Sequence, residues 1–212
     1  MKLTKQYRLL IKYFFILLIG IGFSIEFEIL NNSVSISGNN YYSENPFTGG
    51  TNKPRIHWLD WNNDDLTDIF LLDEDGKLKY FQNEGEHNNP DFKITDPSFQ
   101  NLNCGGWFFF ADFDNDFEYE LMTQSIENPN NLSYYENNNG ILENFISTII
   151  SSNGDLVISE AVITPTFADI DNDNDLDFFT GHVNGTLGFY ENIGFENGIP
   201  LFEFQTNEWQ NI

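Results

Sequence analysis

The sequence predicts an all-β protein made of about three consecutive four-stranded repeats. Three acidic segments recur along the 212 residues, and their first acids, Asp60, Asp112 and Asp169, lie 52 and 57 residues apart. Short apolar runs flank each segment, and no stretch between them has the apolar period and caps of a helix. Repeats of about 50–60 residues with several short strands each are typical of β-propeller blades.

The first and third copies stay in register far beyond their acids, which distinguishes a true repeat from a chance cluster of charge. Adding 109 to a residue number in the first copy gives its counterpart in the third. The second copy rejoins the pattern after a two-residue insertion. The downstream counterparts are Gly76 with Gly185, Leu78 with Leu132 and Leu187, Tyr80 with Tyr134 and Phe189, and Asn83 with Asn137 and Asn192.

Each repeat contains four strand signals. One apolar run leads into the acidic segment and a second follows it. A two-residue turn is then predicted at Asp75-Gly76 and at Asn184-Gly185, before a strand of alternating pattern. The fourth strand is expected to begin near a phenylalanine, and these are Phe92, Phe145 and Phe202. The C-terminal stretch PLFEFQTNEWQNI is interpreted as the outer strand that introduces another blade.

The N-terminal residues predict export. Four of the nine basic residues lie in the first twelve positions, and a 13-residue apolar run follows at 13–25. We interpret residues 1–24 as a signal peptide cleaved near Ser24. A membrane anchor would need about 20 apolar residues, so no membrane span is expected in the mature chain. The expected domains are a lead-in segment with an outer strand at 25–50 and the repeat region at 51–212, in a secreted or cell-surface protein.

Charge and cysteine content limit the possible partners. The net charge is −24, which excludes nucleic acid because phosphate binding requires a basic face. The single cysteine, Cys104, cannot form an internal disulfide and is assigned no role. An exported protein rich in carboxylates and without disulfides suggests stabilisation by divalent cations.

The acidic segments are interpreted as calcium loops. Carboxylates on alternate residues repel one another unless a cation neutralises them, and Ca²⁺ takes 6–8 oxygen ligands in irregular geometry. No His or Cys lies in the loops, which argues against zinc and copper, and magnesium prefers stricter octahedral sites. An EF-hand or dockerin loop needs an acid at position 12, which is Leu71, Thr123 or Thr180 here.

The pattern D-x-[DN]-x-D-x-x-x-[DE] between two strands resembles the FG-GAP/VCBS repeat of integrin-α-like calcium-binding β-propellers. The resemblance extends from about Phe27 to the C-terminus. It implies that loop positions 1, 3, 5 and 9 supply side-chain oxygens and that position 7 supplies its backbone carbonyl, for two to three calcium ions. The implied ligands are Asp60, Asn62, Asp64, Leu66 and Asp68 at 60–68; Asp112, Asp114, Asp116, Glu118 and Glu120 at 112–120; and Asp169, Asp171, Asp173, Asp175 and Asp177 at 169–177.

Two departures from the family pattern concern the loops. The family usually has glycine at position 6, where a positive φ is required, and this chain has Asp65, Phe117 and Asn174 there. Asn tolerates that conformation well, Asp moderately and Phe poorly. Glu120 is also one methylene longer than the usual Asp. The second loop is therefore the one expected to depart most from calcium binding.

Three blades are fewer than a propeller needs, since propellers usually close with four or more. We expect the sequence to be an N-terminal part of a larger propeller, truncated at its C-terminus. Assembly with other chains is the alternative.

Two functions remain open. The resemblance implies a secreted or cell-surface module for adhesion or recognition of a protein or carbohydrate ligand, in which calcium is structural. Trp61, Trp209 and Tyr41-Tyr42 are candidate aromatic contacts for such a ligand, and packing within a blade is the alternative for each of them. The alternative is a part of a secreted polysaccharide-degrading enzyme on the same fold, with His57, His87 or His182 as candidate catalytic groups. No repeated partner or nucleophile motif accompanies these histidines, so we expect no enzyme.

Overall fold

The computed structural model describes residues 36–38, 41–43, 50–146, 148–159 and 165–211. The chain forms two compact units, residues 1–49 and 50–212. In the first unit, β1 (Ile36–Gly38) and β2 (Tyr41–Ser43) pair antiparallel as a two-stranded sheet within the expected lead-in segment. The predicted signal peptide lies outside the described residues.

The second unit consists of three four-stranded antiparallel sheets, which confirms the all-β class. In each sheet, consecutive strands are neighbours. Sheet 1 contains β3 (Arg55–Leu59), β4 (Asp68–Leu72), β5 (Leu78–Asn83) and β6 (Phe92–Asp96). Sheet 2 contains β7 (Phe108–Ala111), β8 (Glu120–Gln124), β9 (Leu132–Asn138) and β10 (Ile141–Ile146). Sheet 3 contains β11 (Thr166–Ala168), β12 (Asp177–Gly181), β13 (Leu187–Glu196) and β14 (Ile199–Thr206).

Helical structure in the described part of the chain is limited to two short 3₁₀ turns, Phe99–Asn101 and Trp209–Asn211. No helix among these residues is both long enough and apolar enough to cross a membrane.

The central hairpins are present, but their turns are longer than the predicted two residues. In sheet 1, Leu72 pairs with Leu78, so five residues connect the two strands, and within them the N–H of Gly76 donates to the carbonyl of Asp73 (3.0 Å). Sheet 3 repeats this with Gly185 and His182 (2.9 Å). A two-residue type I′ turn needs positive φ at both central residues. In the pairs Asp75-Gly76 and Asn184-Gly185 only the glycines have it, at φ 72° and 91°, and each glycine is the last residue of the hydrogen-bonded turn instead of one of its two central residues.

The C-terminal segment corrects a second expectation. Its strand β14 pairs with β13, so it is the fourth strand of sheet 3 and does not begin another sheet. Phe202 lies within this strand and is fully buried. Apolar and polar residues alternate along β14. The same alternation is expected of the fourth strand of sheet 3 and of a strand that begins another sheet, so the sequence alone did not distinguish these two assignments.

Sheets 1 and 2 pack face to face through one apolar cluster. Phe70 of β4 and Phe110 of β7 are its central contact, with ring centroids 4.5 Å apart. The buried Cys104 lies in this cluster as a free thiol, and burial raises its pKa to about 12. This location is consistent with a small apolar filler.

Sheets 2 and 3 pack through a second cluster. The opposite face of sheet 2 supplies Met122 and Tyr134, and sheet 3 supplies Phe178 and Phe202. Sheet 2 is thus covered on both faces, which makes it the middle layer of three. Sheet 2 contributes one face to each cluster because successive strand residues point to opposite sides of the sheet.

Candidate metal centres

All three acidic loops connect the first strand of a sheet to the second. We number each loop from its first acid, so that loops 1, 2 and 3 are residues 60–68, 112–120 and 169–177. The residue before position 1 pairs with position 9 in every sheet: Leu59 with Asp68, Ala111 with Glu120, and Ala168 with Asp177. The eight residues at positions 1 to 8 therefore connect the two paired residues in every sheet.

The three loops share a ladder of side-chain to backbone hydrogen bonds. Position 1 accepts from the N–H of position 6 at 2.9, 3.0 and 3.2 Å in loop order. Position 3 accepts from the N–H of position 5, and position 5 accepts from that of position 7, in all three loops. These bonds hold the side chains of positions 1, 3 and 5 on the inner side of the loop.

Two positions in each loop have left-handed backbone conformations. Position 6 has φ of 65°, 75° and 74° at Asp65, Phe117 and Asn174, as the resemblance implies. Position 4 is also left-handed, with φ of 57–68°, and is asparagine in all three copies. Asparagine is one of the few side chains that adopt this conformation readily. The repeated asparagine was a signal that the sequence analysis did not use.

In loops 2 and 3 the structure brings three predicted ligands together. The groups are Asp112, Asp114 and Asp116 in loop 2, and Asp169, Asp171 and Asp173 in loop 3. In each group, one oxygen per carboxylate lies within 4.8 Å of the others. Two oxygens on one Ca²⁺ can be at most about 5 Å apart, since each lies 2.3–2.6 Å from the ion. Both triads could therefore hold a metal ion.

Loop 1 has the same backbone but less charge. Its position 3 is Asn62, whose amide nitrogen donates to Asp64 at 2.8 Å. Asp60 accepts the N–H groups of positions 5 and 6, as Asp112 does in loop 2, whereas Asp169 in loop 3 accepts those of positions 4 and 6. The neutral Asn62 relieves repulsion between the two flanking carboxylates, because it can donate as well as accept.

The position 9 carboxylates are buried beneath the loops, outside the two triads. Asp68 is fully buried and accepts hydrogen bonds from the N–H of Trp61, the N–H of Asn83 and the hydroxyl of Tyr80. Asp177 likewise accepts the N–H groups of Ile170 and Asn192. Each of these two aspartates joins the start of its loop to the third strand of its sheet.

Position 7 differs among the copies. It is Leu66, Glu118 and Asp175, and the sequence assigns a ligand role only to its carbonyl. In loop 3 the Oδ1 of the Asp175 side chain is also buried, and it has no hydrogen-bond partner among the described residues. Burial, together with the charges of Asp173 and Asp177, raises the pKa of Asp175 to about 7.

An asparagine on the third strand completes each site, and the sequence analysis identified it only as a matching residue. Asn83 donates its amide to the carbonyl of Thr67 at position 8 (3.3 Å). Asn137 and Asn192 do the same at 3.1 and 3.4 Å in loops 2 and 3. These amides hold the end of the loop against the sheet. Their recurrence in register was the signal that could have revealed this role.

Loop 2 accommodates both of its departures. Glu120 is almost fully buried, and its Oε2 accepts the N–H of Phe113 at position 2 (2.8 Å), as the aspartates do elsewhere. Burial raises the pKa of Glu120 to about 8. The position 6 residue Phe117 adopts the left-handed conformation and is 89% exposed. Neither departure prevents the triad of this loop from converging.

A comparison with known proteins provides no family for the chain: no family model matches the sequence, and no curated protein matches it. The resemblance to FG-GAP/VCBS repeats therefore depends on the residues of the loops.

The three candidate catalytic histidines lie in different parts of the fold. Among the described residues, none of them belongs to a group of side chains that could hold a metal ion. His57 is half-buried between sheets 1 and 2, where its Nδ1 accepts the N–H of Phe110 (3.3 Å). Burial lowers its pKa, so it is neutral at physiological pH. His87 is exposed, and His182 lies in the β12–β13 turn, where its N–H donates to Thr186.

The aromatic residues named as candidate ligand contacts also have packing roles. Trp61 contacts Phe70 and Phe110 with ring centroids 5.5 and 5.4 Å apart. It also lines an open cleft of about 370 Å³ between loops 1 and 2, together with Phe117. Trp209 packs on Phe179 at 5.2 Å. The side chains of Tyr41-Tyr42 lie outside the described residues.

The strain at Phe117 leads to a stability prediction. A non-glycine residue in the left-handed region is strained by about 1–2 kcal/mol, and this side chain buries little surface in return. Phe117→Gly is therefore expected to raise the melting temperature by about 2–4 °C per kcal/mol gained. Phe204→Gly, an exposed strand position without positive φ, is the control and should lower the melting temperature. Equal effects of the two substitutions would contradict the strain at position 117.

Proposed function

We propose that the chain is a secreted or cell-surface β-propeller module of the FG-GAP/VCBS type, in which calcium ions are structural and the module serves adhesion or ligand recognition. The observation that carries this proposal is the loop itself. Three loops with different residues at positions 2, 6 and 7 share the same register, left-handed positions and hydrogen-bond ladder. Because the loops have the same geometry although these residues differ, we infer that the side-chain oxygens common to all three loops have the same role.

The donor set suits calcium. The retained side chains at positions 1, 3, 5 and 9 are carboxylates and one amide, so all the ligands they offer are oxygens. Hard oxygen sites favour Ca²⁺ and Mg²⁺, and the loops offer more ligands than Mg²⁺ ordinarily takes from protein. A bound Ca²⁺ would neutralise the carboxylates of each triad and, in loop 3, the buried Oδ1 of Asp175.

Titration calorimetry tests the proposal. We expect residues 25–212 to bind two to three calcium ions at affinities of about 10⁻⁴–10⁻³ M, the range of extracellular modules. The double substitution Asp171→Asn with Asp173→Asn should remove one ion from the stoichiometry. Asp155→Asn, an exposed acid outside the loops, is the matched control and should remove none. An unchanged stoichiometry in the double variant would exclude loop 3 as a site.

The pKa shifts predict how pH affects the metal-free protein. The folded-state pKa values of Glu120 and Asp175, about 8 and about 7, lie above their ordinary values of 4.5 and 3.8. The folded state therefore holds these protons more tightly than the unfolded chain, and this stabilisation is complete below the ordinary values. It is lost as pH rises through the folded values.

In EDTA, the melting temperature should consequently fall between about pH 5 and pH 8. Saturating calcium should remove most of this dependence, because the ion replaces the protons. Glu120→Gln keeps an acceptor for the N–H of Phe113. This substitution should reduce the pH dependence of the melting temperature at the upper end of this pH range. The same slope in the variant and the parent protein would contradict the assignment to Glu120.

The recognition role is supported by the exposed surface around the loops. The cleft between loops 1 and 2 combines the aromatic rings of Trp61 and Phe117 with the amides of Asn62, Asn137 and Asn139. Amide and aromatic groups together suit carbohydrate or peptide ligands. Glycan-array binding in calcium, compared between the parent protein and Phe117→Gly, tests this role. The calcium proposal does not depend on its outcome.

A further inference from the structure

The cleft between loops 1 and 2 lies where sheets 1 and 2 pack against each other. Its volume of about 370 Å³ is within the range of small-ligand sites. Loop 1 lines it with positions 2 to 4, loop 2 with positions 6 to 8, and the β9–β10 hairpin with Asn137, Asn139 and Gly140. The cleft is therefore built from both calcium-type loops of one sheet junction.

The next junction shows that the packing of two sheets does not by itself require such an opening. Between loops 2 and 3, the amide of Asn115 at position 4 donates to the carbonyl of Asn174 at position 6 (2.9 Å). The counterparts at the first junction, Asn63 and Phe117, line the cleft instead, and the Asn63 amide makes no hydrogen bond to any described residue. The amide that joins two loops at one junction therefore remains available at the other.

The wall formed by loop 2 carries an aromatic ring that contributes little to folding. Phe117 is 89% exposed, and its backbone is left-handed with a φ of 75°. A bulky side chain is strained in this conformation, and this one buries almost no surface in return. Strained residues concentrate at binding sites, where ligand contacts explain what folding does not. We therefore interpret the ring as a contact surface for a ligand of the cleft.

The polar lining of the cleft consists mainly of amides. Asn62, Asn63, Asn137 and Asn139 line it, and its described lining residues include no Lys, Arg or His. The one carboxylate among them, Glu118, already accepts the N–H of Asn139 (2.9 Å). An anionic ligand would meet no cation here, and the net charge of −24 would repel it. Amides both donate and accept hydrogen bonds, as hydroxyl groups do, which favours a neutral ligand rich in hydroxyls.

We propose that the cleft between loops 1 and 2 binds a neutral sugar residue of a glycan or polysaccharide. The apolar face of the sugar ring packs on Phe117, and the Asn63 amide bonds to its hydroxyls. Trp61, which packing on Phe110 holds in place (5.4 Å), supplies a second aromatic surface. The inference rests on the recognition role proposed above and names the class of its ligand.

Isothermal titration with defined oligosaccharides in millimolar calcium tests the proposal. The probes are neutral hexasaccharides of glucose, mannose and galactose, with hexagalacturonate as the anionic probe. We expect at least one neutral probe to bind and hexagalacturonate not to bind. Phe117→Ala should weaken that binding at least about tenfold, whereas Phe117→Tyr, which keeps a ring, should change it less than about threefold. Failure of every neutral probe to bind at millimolar concentration would overturn the proposal, as would tighter binding of hexagalacturonate.

Loop position 4 provides a matched pair of variants. Asn63→Gly removes the amide that lines the cleft, and Asn172→Gly removes its counterpart in loop 3. Glycine tolerates the left-handed backbone of both positions, where φ is 57° and 68°. Only Asn63→Gly should weaken binding of the neutral probe, by about threefold or more. Equal effects of the two substitutions would overturn the role of the Asn63 amide.

Two further measurements separate a failure of this proposal from a failure of the earlier ones. Titration with calcium alone gives the number of calcium ions bound without any sugar, and far-ultraviolet circular dichroism shows that each variant is folded. Hexalysine serves as a cationic peptide probe. Binding of hexalysine that Phe117→Ala abolishes, without binding of any neutral sugar, would overturn the sugar assignment and leave the recognition role of the cleft intact.

Discussion

Removal of calcium by EDTA is expected to lower the melting temperature of the protein, and added calcium should restore it. A site at ten times its Kd contributes about 1.4 kcal/mol to the folded state. Two to three sites therefore contribute about 3–4 kcal/mol, a substantial share of the 5–15 kcal/mol that stabilises an ordinary domain. At about 2–4 °C per kcal/mol, the expected decrease is about 6–16 °C.

The physical basis of this effect is the charge held in each loop. Loop 2 and loop 3 each contain five acids within nine residues, and no Lys or Arg lies in any of the three loops. When no ion is bound, the hydrogen bonds that the carboxylates accept from backbone N–H groups are the main interaction that offsets the repulsion between the carboxylates. Differential scanning calorimetry in EDTA, in calcium and in magnesium measures the effect. Identical melting in EDTA and calcium would exclude a structural role for the ion.

Asp68→Ala is expected to be among the most destabilising single substitutions in sheet 1. The substitution leaves two backbone N–H groups and the hydroxyl of Tyr80 without their acceptor in a fully buried site. Each unsatisfied buried group costs about 1–3 kcal/mol, which predicts a loss of about 3–5 kcal/mol in the free energy of unfolding. Urea denaturation in EDTA measures this loss without a contribution from bound calcium.

The third repeat provides the matched control for this experiment. Its counterpart of Tyr80 is Phe189, and Asp177 remains buried there without a tyrosine hydroxyl. Tyr80→Phe should therefore cost only about 1 kcal/mol, the net value of one hydrogen bond. A loss in Asp68→Ala no larger than that in Tyr80→Phe would show that the carboxylate does not organise the loop.

Tyr134, the counterpart of Tyr80 beneath loop 2, has a hydroxyl that does not bond to the position 9 carboxylate. Its hydroxyl is buried and has no hydrogen-bond partner among the described residues, although the matching Tyr80 donates to its position 9 carboxylate at 2.6 Å. Position 9 is a glutamate in this repeat, and the extra methylene changes where its oxygens lie. The departure noted in the sequence thus affects the hydrogen bonding beneath the loop, while the triad above it still converges.

The sequence by itself determined the repeat, the strand order and the loop residues. Apolar alternation and the spacing of the acids are local properties, and the loop backbone follows from them because each ladder bond joins residues at most a few positions apart. The left-handed conformation at position 6 was implied by the resemblance to FG-GAP/VCBS repeats, which usually have glycine there. The exact length of the central hairpin turns was not, since Asp-Gly and Asn-Gly pairs are compatible with more than one turn type.

Only the tertiary structure decided which side chains meet across sheets. Asn83, Asn137 and Asn192 were visible in the sequence as matching residues, but their bonds to loop position 8 cross between the third strand and the loop. The exposure of Trp58 and Ile170, at positions buried or packed in other repeats, depends on which sheets are neighbours. Such contacts join residues far apart in the chain, and a repeating local pattern is the same whether or not a neighbouring sheet is present.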